Sequence, residues 1–231
     1  KYTTFALGVM AMYEIVRMTF KETNIVVLGL SSLAGALLYL REEILGLSQY
    51  GIVYLLVIGM LGVVVVTGHR IKLVEIGSII FVTVYIFVGF YSLYMLRDLS
   101  LAHIGYLLLT IWFTDSFAYI GGMRFGKNKL SPKISPNKSI EGSVIGSLSS
   151  IVIALVFYFT TSIFTNLAVA IGITLVVSVI GQFGDLIESA YKREYGVKDS
   201  SNLLPGHGGI FDRFDSVILS APCLILLLNL L

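Results

Sequence analysis

Charged residues of both signs are concentrated between Asp185 and Asp215, in a stretch that reads DLIESAYKREYGVKDSSNLLPGHGGIFDRFD. Charged groups next to a membrane span are unfavourable unless they are solvated, paired or functional. The stretch also contains Pro205 and the glycine-rich run Gly206–Gly209. Carboxylates, cations and a glycine-rich turn within one segment indicate a site that holds a metal ion and a polyphosphate.

Three aspartates of this stretch are candidate metal ligands. Asp185 lies near the end of one apolar segment, and Asp212 and Asp215 lie three residues apart at the start of the next. Carboxylates from separate helix ends suit Mg²⁺, which keeps several water ligands and binds substrate phosphates. We therefore expect Asp185, Asp212 and Asp215 to bind Mg²⁺. A network of salt bridges at the helix ends is the alternative interpretation.

Basic residues are candidates for binding phosphate groups. The backbone N–H groups of Gly206–Gly209 could add a phosphate nest. For any single lysine, contact with anionic lipid headgroups is the simpler alternative. The candidates are Lys192, Arg193, Lys198 and Arg213 in this stretch, and Lys127 and Lys138 in a polar stretch upstream of it.

A second polar cluster spans residues 112–142 and reads WFTDSFAYIGGMRFGKNKLSPKISPNKSIEG. Asp115 and Tyr119 are four residues apart, on one face of a predicted helix. An acid within a span is a functional candidate by default, so Asp115 is expected to orient a lysine or to complete the metal site. A structural partner for a buried hydroxyl or lysine is the alternative. Ser139 is a plausible N-cap of the next helix, and three glycines are expected to end the helix of Asp115: Gly121, Gly122 and Gly126.

The composition places both clusters in a membrane protein. The chain has 231 residues, of which 56% are hydrophobic and only 13% are charged, with a mean hydropathy of +0.90. Soluble domains carry about 25% charged residues. The composition therefore predicts an integral membrane protein. No nucleic-acid partner is expected.

Eight segments are long and apolar enough to be candidate spans at a rise of about 1.5 Å per residue. They predict an all-α, polytopic helix bundle that forms one transmembrane domain over residues 1–231. Residues 1–100 would provide the N-terminal spans. Residues 101–231 would provide the catalytic spans, which are joined in part by two polar loops at 121–141 and 188–213. The predicted spans are Tyr2–Phe20, Asn24–Leu40, Gln49–Thr67, Leu73–Leu96, Leu101–Ile120, Gly142–Thr161, Asn166–Ile187 and Phe214–Leu231.

The distribution of Lys and Arg predicts the orientation. With eight spans, thirteen of these residues fall on one side and three on the other, which accounts for all sixteen. The richer side, which carries both polar loops, is predicted to be cytoplasmic. The first residue would then lie outside, and a further preceding helix would give nine spans in the full protein.

The residues of both clusters resemble the signatures of the CDP-diacylglycerol synthases, also called phosphatidate cytidylyltransferases. The motifs cover roughly the second half of the chain, and the first four predicted spans match only in being hydrophobic. The downstream motif comprises Ser189, Lys192-Arg193, Lys198-Asp199, Pro205, His207-Gly208-Gly209, Asp212-Arg213 and Asp215. The upstream motif comprises Asp115, Ala118-Tyr119, Gly121, Phe125-Gly126-Lys127, Lys129-Leu130, Pro132, Ile134-Ser135-Pro136, Lys138 and Glu141-Gly142.

The resemblance implies an all-helical enzyme of the inner or plasma membrane, often a homodimer, with its active site facing the cytoplasm. It would make CDP-diacylglycerol and pyrophosphate from CTP and phosphatidic acid, with Mg²⁺ and a second cation such as K⁺. Asp185 and Asp212 match metal-binding positions, and the motif adds four residues to the substrate-binding set: Asp199, His207, Gly208 and Gly209. The chain departs from the family at Tyr191, Ser139 and Gly122.

Two other classes of protein remain as alternatives. A CTP-dependent polyprenol or lipid kinase also uses CTP on a lipid, but it releases CDP rather than pyrophosphate. An ion-coupled transporter would suit intramembrane acids and glycine-broken helices. The charges of this chain gather outside the spans on one side, which disfavours the transporter.

Overall fold

The computed structural model describes residues 1–40, 48–68, 70–203, 206 and 208–230. Helices dominate these residues, and the prediction of an all-α membrane protein is confirmed. The helices are α1 (Tyr2–Phe20), α2 (Ile25–Leu40), α3 (Gln49–Val66), α4 (Leu73–Leu99), α5 (Leu101–Phe125), α6 (Ile140–Ser149), α7 (Ile151–Thr160), α8 (Leu167–Glu194) and α9 (Ile210–Leu228). Two short strands, β1 (Lys129–Ser131) and β2 (Ser135–Ser139), lie between α5 and α6.

Four helical segments of the described chain are long and apolar enough to cross a bilayer. They are Leu73–Leu99, Leu101–Phe125, Ile140–Thr160 and Leu167–Glu194. The third consists of α6 and α7, which meet at Ser150 without leaving the helical region of backbone conformation (φ −62°, ψ −18°). The predicted total of eight spans stays a prediction, although the helix bounds agree with it closely.

The chain divides into two compact units, each built from two stretches of sequence. The first unit comprises Lys1–Tyr91 and Val197–Arg213, and the second comprises Ser92–Gly196 and Phe214–Leu231. The prediction of one transmembrane domain, with its division near residue 100, stays a prediction.

Phe87, on α4, is at the core of the first unit and is almost fully buried. Two glycines give it room, because a Cβ atom at Gly8 would lie 2.9 Å from the Phe87 ring and one at Gly35 would lie closer still. α4 is also joined to α2 by a buried hydrogen bond of 3.0 Å from the Thr83 hydroxyl to that of Ser31. Small residues and paired hydroxyls are the means by which apolar helices pack in a membrane.

Hydroxyl groups also join the helices of the second unit. The Thr114 hydroxyl of α5 donates to Ser178 of α8 (2.9 Å), which donates to Ser147 of α6 (3.0 Å). The Gln182 side chain also donates to Ser147, at 2.9 Å. These buried groups satisfy one another where no water is available, so they fix α5, α6 and α8 relative to one another.

The structure corrects the predicted ends of the helices around the first polar loop. α5 runs to Phe125 and is capped by Gly126, so Gly121 and Gly122 are helical and do not end it. Gly121 instead allows close packing, since a Cβ there would lie 2.8 Å from the Ile145 side chain of α6. The remainder of the loop contains an antiparallel hairpin of β1 and β2, which the hydropathy pattern did not predict.

The contact between α5 and α6 leads to a prediction of stability. In Gly142→Ala, the new Cβ would lie 2.5 Å from the Ala118 carbonyl oxygen and 2.9 Å from the Gly122 Cα, so the two helices must move apart. Overpacking of this kind costs about 1–3 kcal/mol. We expect a thermal midpoint several degrees below that of the unaltered protein in detergent.

Gly172→Ala is the matched control for this prediction. Gly172 lies on α8, and a Cβ there would have no neighbouring element of the described chain within 4 Å. Its midpoint should stay unchanged or rise slightly, because alanine favours helix. Equal midpoints for the two variants would show that α5 and α6 do not pack this closely.

Candidate active site

The C-terminal residues of α8 form one polar face. The helix was predicted to end at Ile187 but continues to Glu194, so the first residues of the second polar loop are helical. The Lys192 ammonium lies 2.7 Å from Glu188 Oε1, one turn away, and both side chains are largely buried. This i,i+4 pair adds to the stability of the extra turns.

Three carboxylates of the second unit converge at this face. One oxygen atom from each of Asp185, Glu188 and Asp215 lies within 4.8 Å of the other two. Mg²⁺ holds oxygen ligands at about 2.1 Å, which puts any two neighbouring ligands about 3 Å apart. The three oxygens would have to move closer together to share one ion, and hard carboxylate oxygens are the donors that Mg²⁺ prefers.

Glu188 is the metal-ligand candidate that the sequence analysis missed. It is 1% exposed and lies three residues after Asp185, a spacing that places both on one face of a helix. That spacing was visible in the sequence. It places Glu188 on the face of Asp185 but does not show whether its carboxylate meets a cation or only Lys192.

Two lysines partly neutralise this cluster. The Lys138 ammonium forms an ion pair with Asp185 Oδ2, and Lys192 pairs with Glu188. Asp115 interacts electrostatically with Asp185 and Lys138, as does Asp215. When ionised, the four carboxylates and two lysines carry a formal charge of −4 + 2 = −2. A divalent cation would balance that charge.

The hairpin of β1 and β2 brings Lys138 to the cluster. The Glu141 carboxylate accepts hydrogen bonds from the backbone N–H groups of Lys127 (3.1 Å) and Asn128 (3.2 Å), which ties the start of the hairpin to α6. The Ser139 hydroxyl accepts from the Gly142 N–H at 3.1 Å, so the predicted N-cap is confirmed. Lys138 directly precedes this N-cap, and its backbone is therefore held at the start of α6.

Arg193 makes a second attachment to the same hairpin. Its Nε donates to the Ile134 carbonyl oxygen at 3.4 Å. Of the predicted phosphate-binding residues in the second unit, Lys138 and Lys192 contact the carboxylates directly, whereas Lys127 and Arg193 are exposed beside the hairpin. The substrate-binding roles of all four stay predictions.

The glycine-rich loop belongs to the first unit, and Asp212 organises it. Asp212 Oδ2 accepts from the backbone N–H groups of Ser200 (2.9 Å) and Gly209 (2.7 Å) and from the Ser200 hydroxyl (2.8 Å). Gly208 adopts φ +77°, a conformation that residues with a side chain disfavour. The Gly209 N–H predicted to bind phosphate thus donates to Asp212 in this structure.

The other predicted residues of this loop are solvent-accessible or fall outside the described chain. Lys198, Asp199 and Arg213 are exposed. His207 and Pro205 lie outside the described residues. Metal binding by Asp212 stays a prediction. Substrate binding by the residues of the loop stays a prediction as well.

Apolar helices that end in a cluster of acids and lysines suit a membrane enzyme that acts on phosphate groups. Comparison with known proteins narrows the class. Residues 2–231 match the cytidylyltransferase family. The chain belongs to this family and is a nucleotidyltransferase that uses CTP.

The names of two similar proteins are consistent with membership of this family. The phosphatidate cytidylyltransferase of Bacillus subtilis (strain 168) is 40% identical over an alignment of 238 positions, which covers 98% of this chain and 87% of that protein. The phosphatidate cytidylyltransferase of Staphylococcus aureus (strain COL) is 41% identical over 169 residues, which cover 73% of this chain and 65% of that protein. The resemblance found in the sequence motifs is confirmed, and it extends through the apolar N-terminal helices.

Proposed function

We propose that this protein transfers the cytidylyl group of CTP to the phosphate of phosphatidate, forming CDP-diacylglycerol and pyrophosphate. The names of its relatives support this substrate pair. The observation that carries the proposal is the cluster of Asp115, Asp185, Glu188 and Asp215 with Lys138 and Lys192. Such a cluster can hold a cation and bind phosphate, and α5 and α8, which carry Asp115, Asp185 and Glu188, are long and apolar enough to cross a bilayer.

The reaction joins two anions and is a displacement at phosphorus. A phosphate oxygen of phosphatidate forms a bond to the α-phosphorus of CTP, the bond from that phosphorus to the bridging oxygen breaks, and pyrophosphate leaves with the electron pair. A phosphate monoester is already largely deprotonated at pH 7, since its second pKa is about 6. The protein therefore has no need of a strong base and must align the two phosphates and balance their charge.

Asp185, Glu188 and Asp215 would hold Mg²⁺, and Asp212 stays a further candidate from the sequence. When bound, Mg²⁺ neutralises phosphate oxygens and stabilises the leaving pyrophosphate. K⁺ as a second cation rests on the family resemblance alone. Asp115 interacts with both Lys138 and Asp185, so it would orient the lysine toward the reacting phosphates.

Lys138 and Lys192 would change partners during binding. Each is paired with a carboxylate of the cluster. With Mg²⁺ held by the carboxylates, each ammonium group would turn from its carboxylate to a substrate phosphate. Lys138 and Lys127 are proposed for phosphatidate or CTP, and Lys192 and Arg193 for the phosphates of CTP.

We further propose that the cluster faces the cytoplasm in the plasma membrane, where CTP is available. The excess of Lys and Arg in the loops on that side supports this orientation. The homodimer that the resemblance implies also stays a proposal.

Label transfer from CTP tests the function directly. Protein purified in detergent would receive phosphatidate, Mg²⁺ and CTP labelled on either the α- or the γ-phosphorus. We expect the α-label in the lipid and the γ-label in pyrophosphate, with transfer stopped by chelation of divalent cations. The γ-label in lipid together with free CDP would identify a lipid kinase and refute the proposal.

A further inference from the structure

Glu14 is a buried acidic residue on a largely apolar helix. It lies on α1 among the buried side chains of Ala11, Met12 and Ile15, and it is only 1% exposed. A buried carboxylate is strongly unfavourable unless hydrogen bonds replace its water. The two family motifs do not include any residue of α1, so they give Glu14 no role.

Four donors surround the Glu14 carboxylate, and all of them come from residues 200–211. Oε1 accepts from the Ser201 hydroxyl at 2.7 Å and from the Ile210 N–H at 2.8 Å. Oε2 accepts from the Ser200 hydroxyl at 3.0 Å and from the Phe211 N–H at 2.9 Å. Each oxygen therefore has one hydroxyl group and one backbone N–H beside it, and Asp212 Oδ2 competes with Oε2 for the single proton of Ser200.

The two backbone donors are the first N–H groups of α9, which begins at Ile210. The N–H groups in the first turn of a helix have no acceptor within the helix, and the helix dipole favours negative charge there. Glu14 supplies both the acceptors and the charge from a residue almost 200 positions away in the sequence. It thus stabilises the start of α9.

Ser200 links Glu14 to Asp212. Its hydroxyl oxygen lies 3.0 Å from Glu14 Oε2 and 2.8 Å from Asp212 Oδ2, so one hydroxyl group contacts both carboxylates. Asp212 also accepts from the N–H of Gly209. A shift of Glu14 would therefore displace Ser200, Asp212 and the glycine turn together.

We propose that Glu14 is a positioning residue for cytidylyl transfer, acting through the 200–211 segment, which carries Gly208 and Gly209, and through Asp212. The inference rests on the proposed function and on the sequence prediction that Gly208 and Gly209 bind substrate. It gives the first helix a part in the reaction.

Glu14→Gln tests the proposal. An amide offers only one oxygen, and its NH₂ group would face a backbone N–H that cannot turn to accept a hydrogen bond. The segment should loosen, and we expect the KM for CTP to rise at least fivefold while the KM for phosphatidate stays within twofold. Simple loss of folded protein would lower kcat and leave both KM values unchanged.

Glu22→Gln provides the matched control, because Glu22 is an exposed acid just beyond the end of α1. It should leave both KM values unchanged. Glu14→Asp keeps two oxygens on a side chain shorter by one methylene, and it should recover part of the CTP affinity. If Glu14→Gln does not fold, the Glu14→Asp variant carries the same comparison of KM values.

Hydrogen exchange separates this proposal from the proposed function. The amides of Ile210 and Phe211 should exchange at least tenfold faster in Glu14→Gln than in Glu22→Gln, whether or not the protein transfers cytidylyl groups. Unchanged exchange, or a KM for CTP within twofold of the unaltered protein, would overturn the positioning role. Absence of label transfer by the unaltered protein would refute only the function, and exchange would still decide on Glu14.

Discussion

Replacement of Asp185 by asparagine is expected to reduce kcat/KM for cytidylyl transfer about a hundredfold or more. Asp185 is the residue on which the cluster converges, since it faces Glu188 and Asp215 and forms the ion pair with Lys138. Its loss weakens cation binding and leaves Lys138 without its present carboxylate partner. Removal of one electrostatic group from such a site commonly lowers turnover by a factor of about 10²–10³.

Asp98→Asn is the control for the Asp185 variant. Asp98 is exposed near the end of α4, so the same chemical change there should leave transfer within twofold of the unaltered protein. The concentration of Mg²⁺ for half-maximal rate should rise in Asp185→Asn alone. Full activity of Asp185→Asn at unchanged Mg²⁺ dependence would remove Asp185 from the site.

Replacement of Glu188 by glutamine is expected to lower both stability and turnover. The Glu188 side chain is 2% exposed and pairs with a Lys192 side chain that is 13% exposed. The change takes the nearest carboxylate away from the largely buried Lys192 ammonium, and breaking a buried ion pair costs up to about 3–5 kcal/mol. A lower thermal midpoint in detergent and a fall in label transfer of at least tenfold are the expected results.

A double variant separates the two effects of Glu188. Glu188→Gln combined with Lys192→Gln removes both charges, so the thermal midpoint should recover most of the loss. Label transfer should stay low, because the carboxylate and the ammonium are both missing from the site. Recovery of turnover together with stability would mean that Glu188 has only a structural role.

Hydropathy alone was sufficient to predict the positions of the first four helices. α1 has the predicted bounds, Tyr2–Phe20, and α2, α3 and α4 differ from their predicted bounds by no more than three residues. The agreement has a physical reason, since the length of an apolar segment decides whether it can cross a bilayer. Ser139 shows that local capping rules hold as well, because the donor lies only three residues away.

The predicted ends of two helices were wrong, because polar residues continue each helix beyond its apolar segment. α5 and α8 extend five and seven residues beyond their predicted ends, to Phe125 and Glu194. The extensions depend on contacts that hydropathy does not contain: the packing of Gly121 against α6 and the pair of Glu188 with Lys192. Glu188 shares a helix face with Asp185 by its spacing in the sequence, but only the fold shows that Asp215 approaches the same face.

The role of Glu14 could not be obtained from the pattern along the chain. Its partners are Ser200, Ser201, Ile210 and Phe211, and no local spacing relates them to α1. One acid near the end of an apolar helix has many possible partners. Only the folded first unit identifies which backbone groups it satisfies.

The most direct test of the carboxylate site is a count of bound Mn²⁺ by electron paramagnetic resonance. Mn²⁺ takes the same oxygen ligands as Mg²⁺, and its signal can be recorded for the unaltered protein and for the triple variant Asp185→Asn, Glu188→Gln, Asp215→Asn. We expect one Mn²⁺ fewer per chain in the variant, together with loss of label transfer to lipid. Undiminished Mn²⁺ binding by a folded triple variant would contradict the assignment of these three residues as the cation site.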